Sequence, residues 1–279
     1  MRRVDAVAQQ AEVHFGRHTI DGKLLEAIRN GDLAAVKRLI KCGANVNAYT
    51  DQPLVWAVEG GMHKIAAFLL NSGADTHAND DIALIKAILQ ADTEMIRLLI
   101  DRGANVRANH DEPLRVAIDF GQLKTTALLI EKGADVNACN NTPLVGAAQT
   151  GHLEMVTLCL DHGAVIDAQE GKALNSAAHN NHTHIVELLL SRGADLHANS
   201  DRAIRFAANG GGAGTVAMLL ARYTFPPEVI TKVRATAVRK KFVDIVAMVD
   251  SLRQMKKLAK HNATVSCSLS PTQSRADRL

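Results

Sequence analysis

The sequence predicts an all-α chain built as a solenoid of helix-turn-helix repeats. Three observations predict it. Gly-Ala recurs every 30 residues, at Gly43-Ala44, Gly73-Ala74, Gly103-Ala104, Gly133-Ala134, Gly163-Ala164 and Gly193-Ala194. Apolar columns keep the same period, one running Leu24, Leu54, Leu84, Leu114, Leu144, Leu174, Ile204 and another Ala27, Ala57, Ala87, Ala117, Ala147, Ala177, Ala207, Ala237. Within a unit the apolar spacing is helical. Leu54, Ala57 and Val58 share one face of a first helix, and Ile65, Ala66, Leu69 and Leu70 make the stripe of a second. One such pair leaves both stripes exposed, whereas stacked copies bury them.

The turns follow from residue chemistry. Gly60-Gly61 separates the two stripes, and Gly73 suits the left-handed position that ends a helix. Asp recurs three residues before the column leucine, at Asp21, Asp51, Asp81, Asp111 and Asp201, with Asn141 and Gly171 in the same frame. A carboxylate there is expected to cap the N-terminus of the first helix by accepting from its free amides. The competing reading is an acidic ridge facing a basic partner.

Unit 5 carries Thr142-Pro143-Leu144, Ala147-Ala148, Gly151-His152, Val156 and Leu160, and units 1 and 4 close on Gly43-Ala44-Asn45-Val46-Asn47-Ala48 and Gly133-Ala134-Asp135-Val136-Asn137-Ala138. In these residues the chain resembles the ankyrin repeat family over about 24–220. The family unit is usually about 33 residues, so the 30-residue unit loses residues at the tip of the family's β-hairpin. The resemblance therefore implies short or strandless connectors. It also implies partner binding on the concave surface of the first helices, and it is similar to repeats of large amoeba-infecting viruses and some intracellular bacteria.

The expected organisation has four parts. Residues 1–20 form an N-terminal capping helix, with Val4, Val7, Ala8 and Ala11 at helical spacing. Residues 21–220 form about seven repeats, 221–260 a degenerate eighth unit, and 261–279 a disordered tail bearing Pro271. Residues 1–220 hold 20 Lys and Arg against 25 Asp and Glu, a net −5, while 221–260 hold 10 against 3, a net +7. The eighth unit is thus a basic C-terminal cap, marked by Arg239, Lys240, Lys241, Lys256 and Lys257. Its plainer reading is a solvated end unit with a polar outer face. Its other reading is an electrostatic docking patch.

Composition narrows the function. The 279 residues include 3% aromatics and carry a net charge of +3, which disfavours nucleic acid as a partner. No apolar run reaches the roughly 18 residues of a membrane span, and Asp5 interrupts the N-terminus where a signal peptide needs an apolar stretch. A monomer in the cytoplasm is expected, or in a host cytoplasm for a viral or bacterial effector. On a first helix, offsets +2, +5 and +6 from the column leucine point away from the core stripe. They hold Trp56, Glu59, Lys86, Leu89, Val116, Asp119, Phe120, Gln149, His179 and Phe206. These positions vary in size and charge while the core columns do not, and exposed aromatics anchor interfaces. They are the candidate partner-binding residues.

No catalytic residue, cofactor or metal is expected. His179, His182 and His184 lack a carboxylate or thiolate that completes a ligand set. The run Asn209-Gly210-Gly211-Gly212-Ala213-Gly214 lacks the Lys-Ser/Thr of a phosphate loop and falls at an interhelix turn. Cys159 sits in a core column, and Cys42 and Cys139 have no base partner. The expected function is a non-catalytic scaffold that binds a protein. The alternative is an adaptor or effector that links a bound protein to other machinery, for example a ubiquitin ligase, through the basic cap.

Overall fold

A computed structural model describes residues 19–268, which contain sixteen helices and no strand. They fall into two compact units, 19–147 with 157–164, and 148–156 with 165–268. The expected capping helix over 1–20 lies outside the described residues except for Thr19 and Ile20. Thr19 caps the first helix, its hydroxyl accepting from the Gly22 amide at 3.0 Å.

The first unit holds α1 (Ile20–Arg29), α2 (Leu33–Lys41), α3 (Ala48–Glu59), α4 (His63–Asn71), α5 (Ala78–Leu89), α6 (Thr93–Asp101), α7 (Ala108–Asp119) and α8 (Leu123–Glu131). Helices α1, α3, α5 and α7 pack side by side as one layer, and α2, α4 and α6 as a second. Two further helices, α9 (Ala138–Thr150) and α10 (Leu153–Asp161), divide between the units. The second unit holds α11 (Ala168–His179), α12 (Thr183–Ser191), α13 (Ala198–Gly210), α14 (Ala213–Arg222), α15 (Pro227–Lys240) and α16 (Val243–Ser268). There α11, α13 and α15 make the first layer and α12, α14 and α16 the second. The core lies between layers. Every member of the leucine column is at most 2% exposed, and Cys159 in a neighbouring column is fully buried.

The connectors are strandless and have an unexpected geometry. Three consecutive residues turn left-handed at each, at Tyr49–Asp51, Asn79–Asp81, Asn109–Asp111, Cys139–Asn141, Gln169–Gly171 and Asn199–Asp201, with φ from 46° to 69°. The right-handed first helix begins only after this triplet, which places Pro53, Pro113 and Pro143 in its first turn, where a missing amide costs nothing. A left-handed L-residue costs about 1–2 kcal/mol, least for Asn and Asp. Side chains offset part of this by stitching one triplet to the next. Asn79 Nδ2 donates to the Thr50 carbonyl and Asn199 Nδ2 to the Glu170 carbonyl, each at 3.3 Å.

The aspartate column does not cap its own helix. Asp21, Asp81 and Asp111 each accept, through Oδ1, from the backbone amide 24 residues further on, at Asn45, Asn105 and Asp135 and distances of 2.7, 2.7 and 2.8 Å. The carboxylate therefore ties the start of a repeat to its closing loop. Where the column holds Gly171, Asp167 takes over and accepts from the Asp195 amide at 3.1 Å. In the second repeat Asn47 Oδ1 accepts from the Asp75 amide instead, leaving Asp51 Oδ1 buried without a partner.

The terminal pair differs from expectation in its surface. Val238, Val243, Met255 and Leu258 are 50%, 74%, 60% and 63% exposed, so its outer face is not polar throughout. Helix α16 continues to Ser268, beyond the point where the sequence suggests a tail. Residues 269–279 lie outside the described residues.

Candidate functional site

On the first helices, core packing uses offsets 0, +3 and +4, so the remaining positions decide what the free face offers. The +2 residues Trp56, Lys86, Val116 and Phe206 are half-buried, while Glu59, Leu89, Asp119, Phe120, Gln149 and His179 are exposed. In the first unit Phe120 is 63% and Leu89 45% exposed, large apolar surfaces at the C-terminal ends of α7 and α5. Beside them, Lys86 Nζ and Glu59 Oε1 pair at 2.6 Å across adjacent helices. A partly solvated pair of this kind contributes less than about 1 kcal/mol, and it sets charge pattern more than stability. Gln90 Nε2 donates to the Glu59 carbonyl at 3.0 Å, fixing the end of α3 against α5.

In the second unit the same positions surround a cleft of about 570 Å³. His179 meets Phe206 edge-on with ring centroids 5.9 Å apart, and the Arg202 guanidinium lies 5.5 Å from the Phe206 centroid on its other contact. The Asn180 side chain donates to the Gln149 carbonyl at 3.1 Å, closing one edge. The sequence columns locate His179, Gln149, Phe206 and, at offset +6, Asn180, but miss Lys172, Asn175 and Arg202, which the structure brings to the same cleft. Lys172 and Arg202 stand two residues before the column position of their own helices. At about 100° per residue that offset lies roughly 160° from the column, between offsets +2 and +5 on the same free face, so the period extended back one turn is the signal that finds them.

The three histidines are engaged separately. His179 packs on Phe206, His182 Nε2 lies 3.1 Å from the Gln149 carbonyl, and His184 is exposed with Glu187 at 3.7 Å. Among the described residues no group of three or more His, Cys, Asp or Glu side chains is placed to hold a metal. The glycine run has a packing cause. A methyl group on Gly210 would collide with the His179 carbonyl, and one on Gly211 would fall 2.9 Å from the Phe242 ring. Burial pushes the Cys159 thiol up to about 12, far from a reactive thiolate, while Cys42 and Cys139 are exposed and free.

The basic cap is solvent-facing throughout. Arg239, Lys240 and Lys241 end α15 and start the turn, Lys256 and Lys257 lie on α16, and all five are exposed. Behind them Arg234 holds Asp250 through two hydrogen bonds of 2.6 and 2.8 Å, tying α15 to α16. That pairing keeps Asp250 below the usual carboxylate range, because the Arg234 hydrogen bonds outweigh desolvation.

Comparison with known proteins agrees with this architecture. The family model described as ankyrin repeats in three copies matches residues 21–80, 76–140 and 137–200. A search of curated proteins gives no match. Among solved structures, the chain is similar to the ankyrin repeat domain of Bcl-3, described as a unique member of the IkappaB protein family. The two are 28% identical, with a TM-score of 0.57, over 65% of this chain and 90% of that one. The 30-residue period, the stacked helix pairs and a family match spanning more than half of the sequence lead to one assignment: the chain belongs to the ankyrin repeat family.

Proposed function

We propose that this chain is a non-catalytic interaction scaffold that binds a partner protein through the free face of its first helices. The observation that carries this reading is the exposure of Phe120 and Leu89 on a face that also carries the charges of Glu59, Lys86 and Asp119. Buried-core columns explain the leucines and alanines, yet no packing demand places a 63%-exposed phenylalanine at the end of α7. Large exposed apolar side chains rimmed by charge suit interface anchors. Trp56, Glu59, Lys86, Val116 and Asp119 complete the proposed surface of the first unit, and Gln149, His179 and Phe206 make the corresponding surface of the second. The protein acts as a monomer, needs no cofactor and works in the cytoplasm. Among the described residues no helix is long and apolar enough to cross a membrane.

The test is affinity capture from lysate with wild type and a Trp56→Ala/Phe120→Ala/Phe206→Ala variant that circular dichroism shows to be helical. A partner held by wild type and lost by the variant supports the reading. A partner held equally by both removes it.

A second reading rests on the terminal pair. Val238 and Val243 flank Arg239, Lys240 and Lys241 in one exposed turn, a combination that a purely solubilising cap does not need. In this reading the cap links a bound protein to other machinery. An Arg239→Glu/Lys240→Glu/Lys241→Glu variant then loses a second, salt-sensitive partner and keeps the first.

A further inference from the structure

We infer that the cleft between α11 and α13 receives an acidic segment of the partner, docking its carboxylates against Lys172 and Arg202. This rests on the interaction reading above and adds the chemistry of what is bound. The lining of the cleft is one-sided in charge. It contains the cations Lys172 and Arg202, the imidazole of His179, the amides of Gln149, Asn175 and Asn180, and the Phe206 ring, but no carboxylate. This stands out because residues 1–220 as a whole carry a net −5. The Asn175 and Asn180 amides already donate to the Glu170 and Gln149 carbonyls, so it is the two cations, facing a concave space with no acid in its lining, that complement an anionic ligand.

The cations are also held in place. The Arg202 guanidinium is positioned over Phe206, whose ring is fixed in turn by the edge of His179. Lys172 Nζ is 3.1 Å from Gln169 Oε1, a neutral acceptor that leaves its charge uncompensated. Glu170 stands at the rim, 3.5 Å from Arg202, with side chains 69% and 45% exposed. Water screens a pair this open, so an incoming carboxylate displaces it at little cost. A space of about 570 Å³ accommodates a few side chains of an extended segment, with an apolar one against Phe206.

A random dodecapeptide library displayed on phage, panned against the full chain, tests this. Wild type is expected to select sequences rich in Asp and Glu. A Lys172→Glu/Arg202→Glu variant is expected to stop selecting them. Synthetic copies of the selected peptides should bind that variant at least tenfold more weakly, and bind wild type more weakly as salt rises. Where charge reversal perturbs folding, as read by circular dichroism, Lys172→Gln/Arg202→Gln gives the same comparison. Selected peptides with no acidic excess, or acidic peptides that bind the variants as tightly as wild type, overturn the inference. Non-acidic peptides lost with Trp56→Ala/Phe120→Ala would overturn the acidic-segment inference while leaving the scaffold reading standing.

Discussion

Gly210, near the end of α13, is pressed so closely against the backbone carbonyl of His179, at the end of α11, that a β-carbon there would overlap the oxygen. Adjacent first helices thus approach backbone to backbone at the seventh repeat. Gly210→Ala is expected to destabilise the protein by roughly 2–3 kcal/mol, the usual penalty for overpacking a rigid site. Gly214→Ala, where the new methyl meets only ordinary contact with Thr183, is expected to gain about 0.5 kcal/mol from helix propensity. Urea midpoints of the two variants check both signs.

Ala91 occupies a left-handed position, φ 55°, at the turn between α5 and α6, where other repeats hold Gly31, Gly61, Gly121 or Gly151. Its β-carbon opposes that conformation. Ala91→Gly is expected to stabilise by about 0.5–1 kcal/mol, which a shift in urea midpoint at unchanged slope would show.

The pair of His63 and Asp92 gives stability a pH signature. His63 Nε2 lies 3.0 Å from Asp92 Oδ1, and Asp92 also accepts from the Met95 amide at the start of α6. The hydrogen bond to Asp92 raises the His63 pKa. Burial alone would lift Asp92, but the bonds from His63 and Met95 outweigh it and hold the carboxyl below its ordinary range. The raised histidine contributes stability below about pH 6.5 and loses it as pH climbs through the folded value. The lowered carboxylate contributes above about pH 4 and loses it as pH falls. The difference in melting temperature between wild type and His63→Ala is therefore expected to peak near pH 5–6 and to shrink by pH 8.5.

Asp51 has the opposite sign. Its pKa is raised, first by burial and then by the charge of Asp75. The folded state thus favours the protonated form, so the group's favourable contribution exists below the ordinary carboxylate pKa and is lost as pH rises. Asp51→Asn, the residue that the fifth repeat holds at position 141, is expected to raise the melting temperature at pH 7 by roughly 1–2 °C. The gain should fade below about pH 4. A thermal scan at the two pH values decides it.

The parts legible in the sequence are those that every repeat enforces locally. Leu84 and Ala87 announce a buried helical stripe, and Gly73 a helix end, because spacing and backbone freedom are properties of the chain itself. The left-handed triplets were hidden for a physical reason. Tyr49-Thr50 and Gln169-Glu170 have no preference for that conformation, and a neighbouring helix pair imposes it. The role of Asp81 was misleading for a similar cause. Aspartate next to a helix start suits a cap, and only the folded loop brings the Asn105 amide within 2.7 Å. In the candidate site, the columns marked which positions are free. They could not show that Phe206 is clasped by His179 and Arg202, since that depends on directions set by packing.

The bonds that close and join the repeats have a bearing on how such an array changes in length. Asp81 and Asp111 each fasten their own repeat at a span of 24 residues, and Asn79 and Asn199 reach back to the preceding connector at a span of 29. Excising or copying 30 residues in frame restores partners of the same kind at both kinds of joint. A slip of a single residue breaks the joints that span it. The genetic unit that this architecture tolerates losing or gaining is consequently the whole repeat, and recombination between copies is a route by which the chain could lengthen while its first-helix faces diversify.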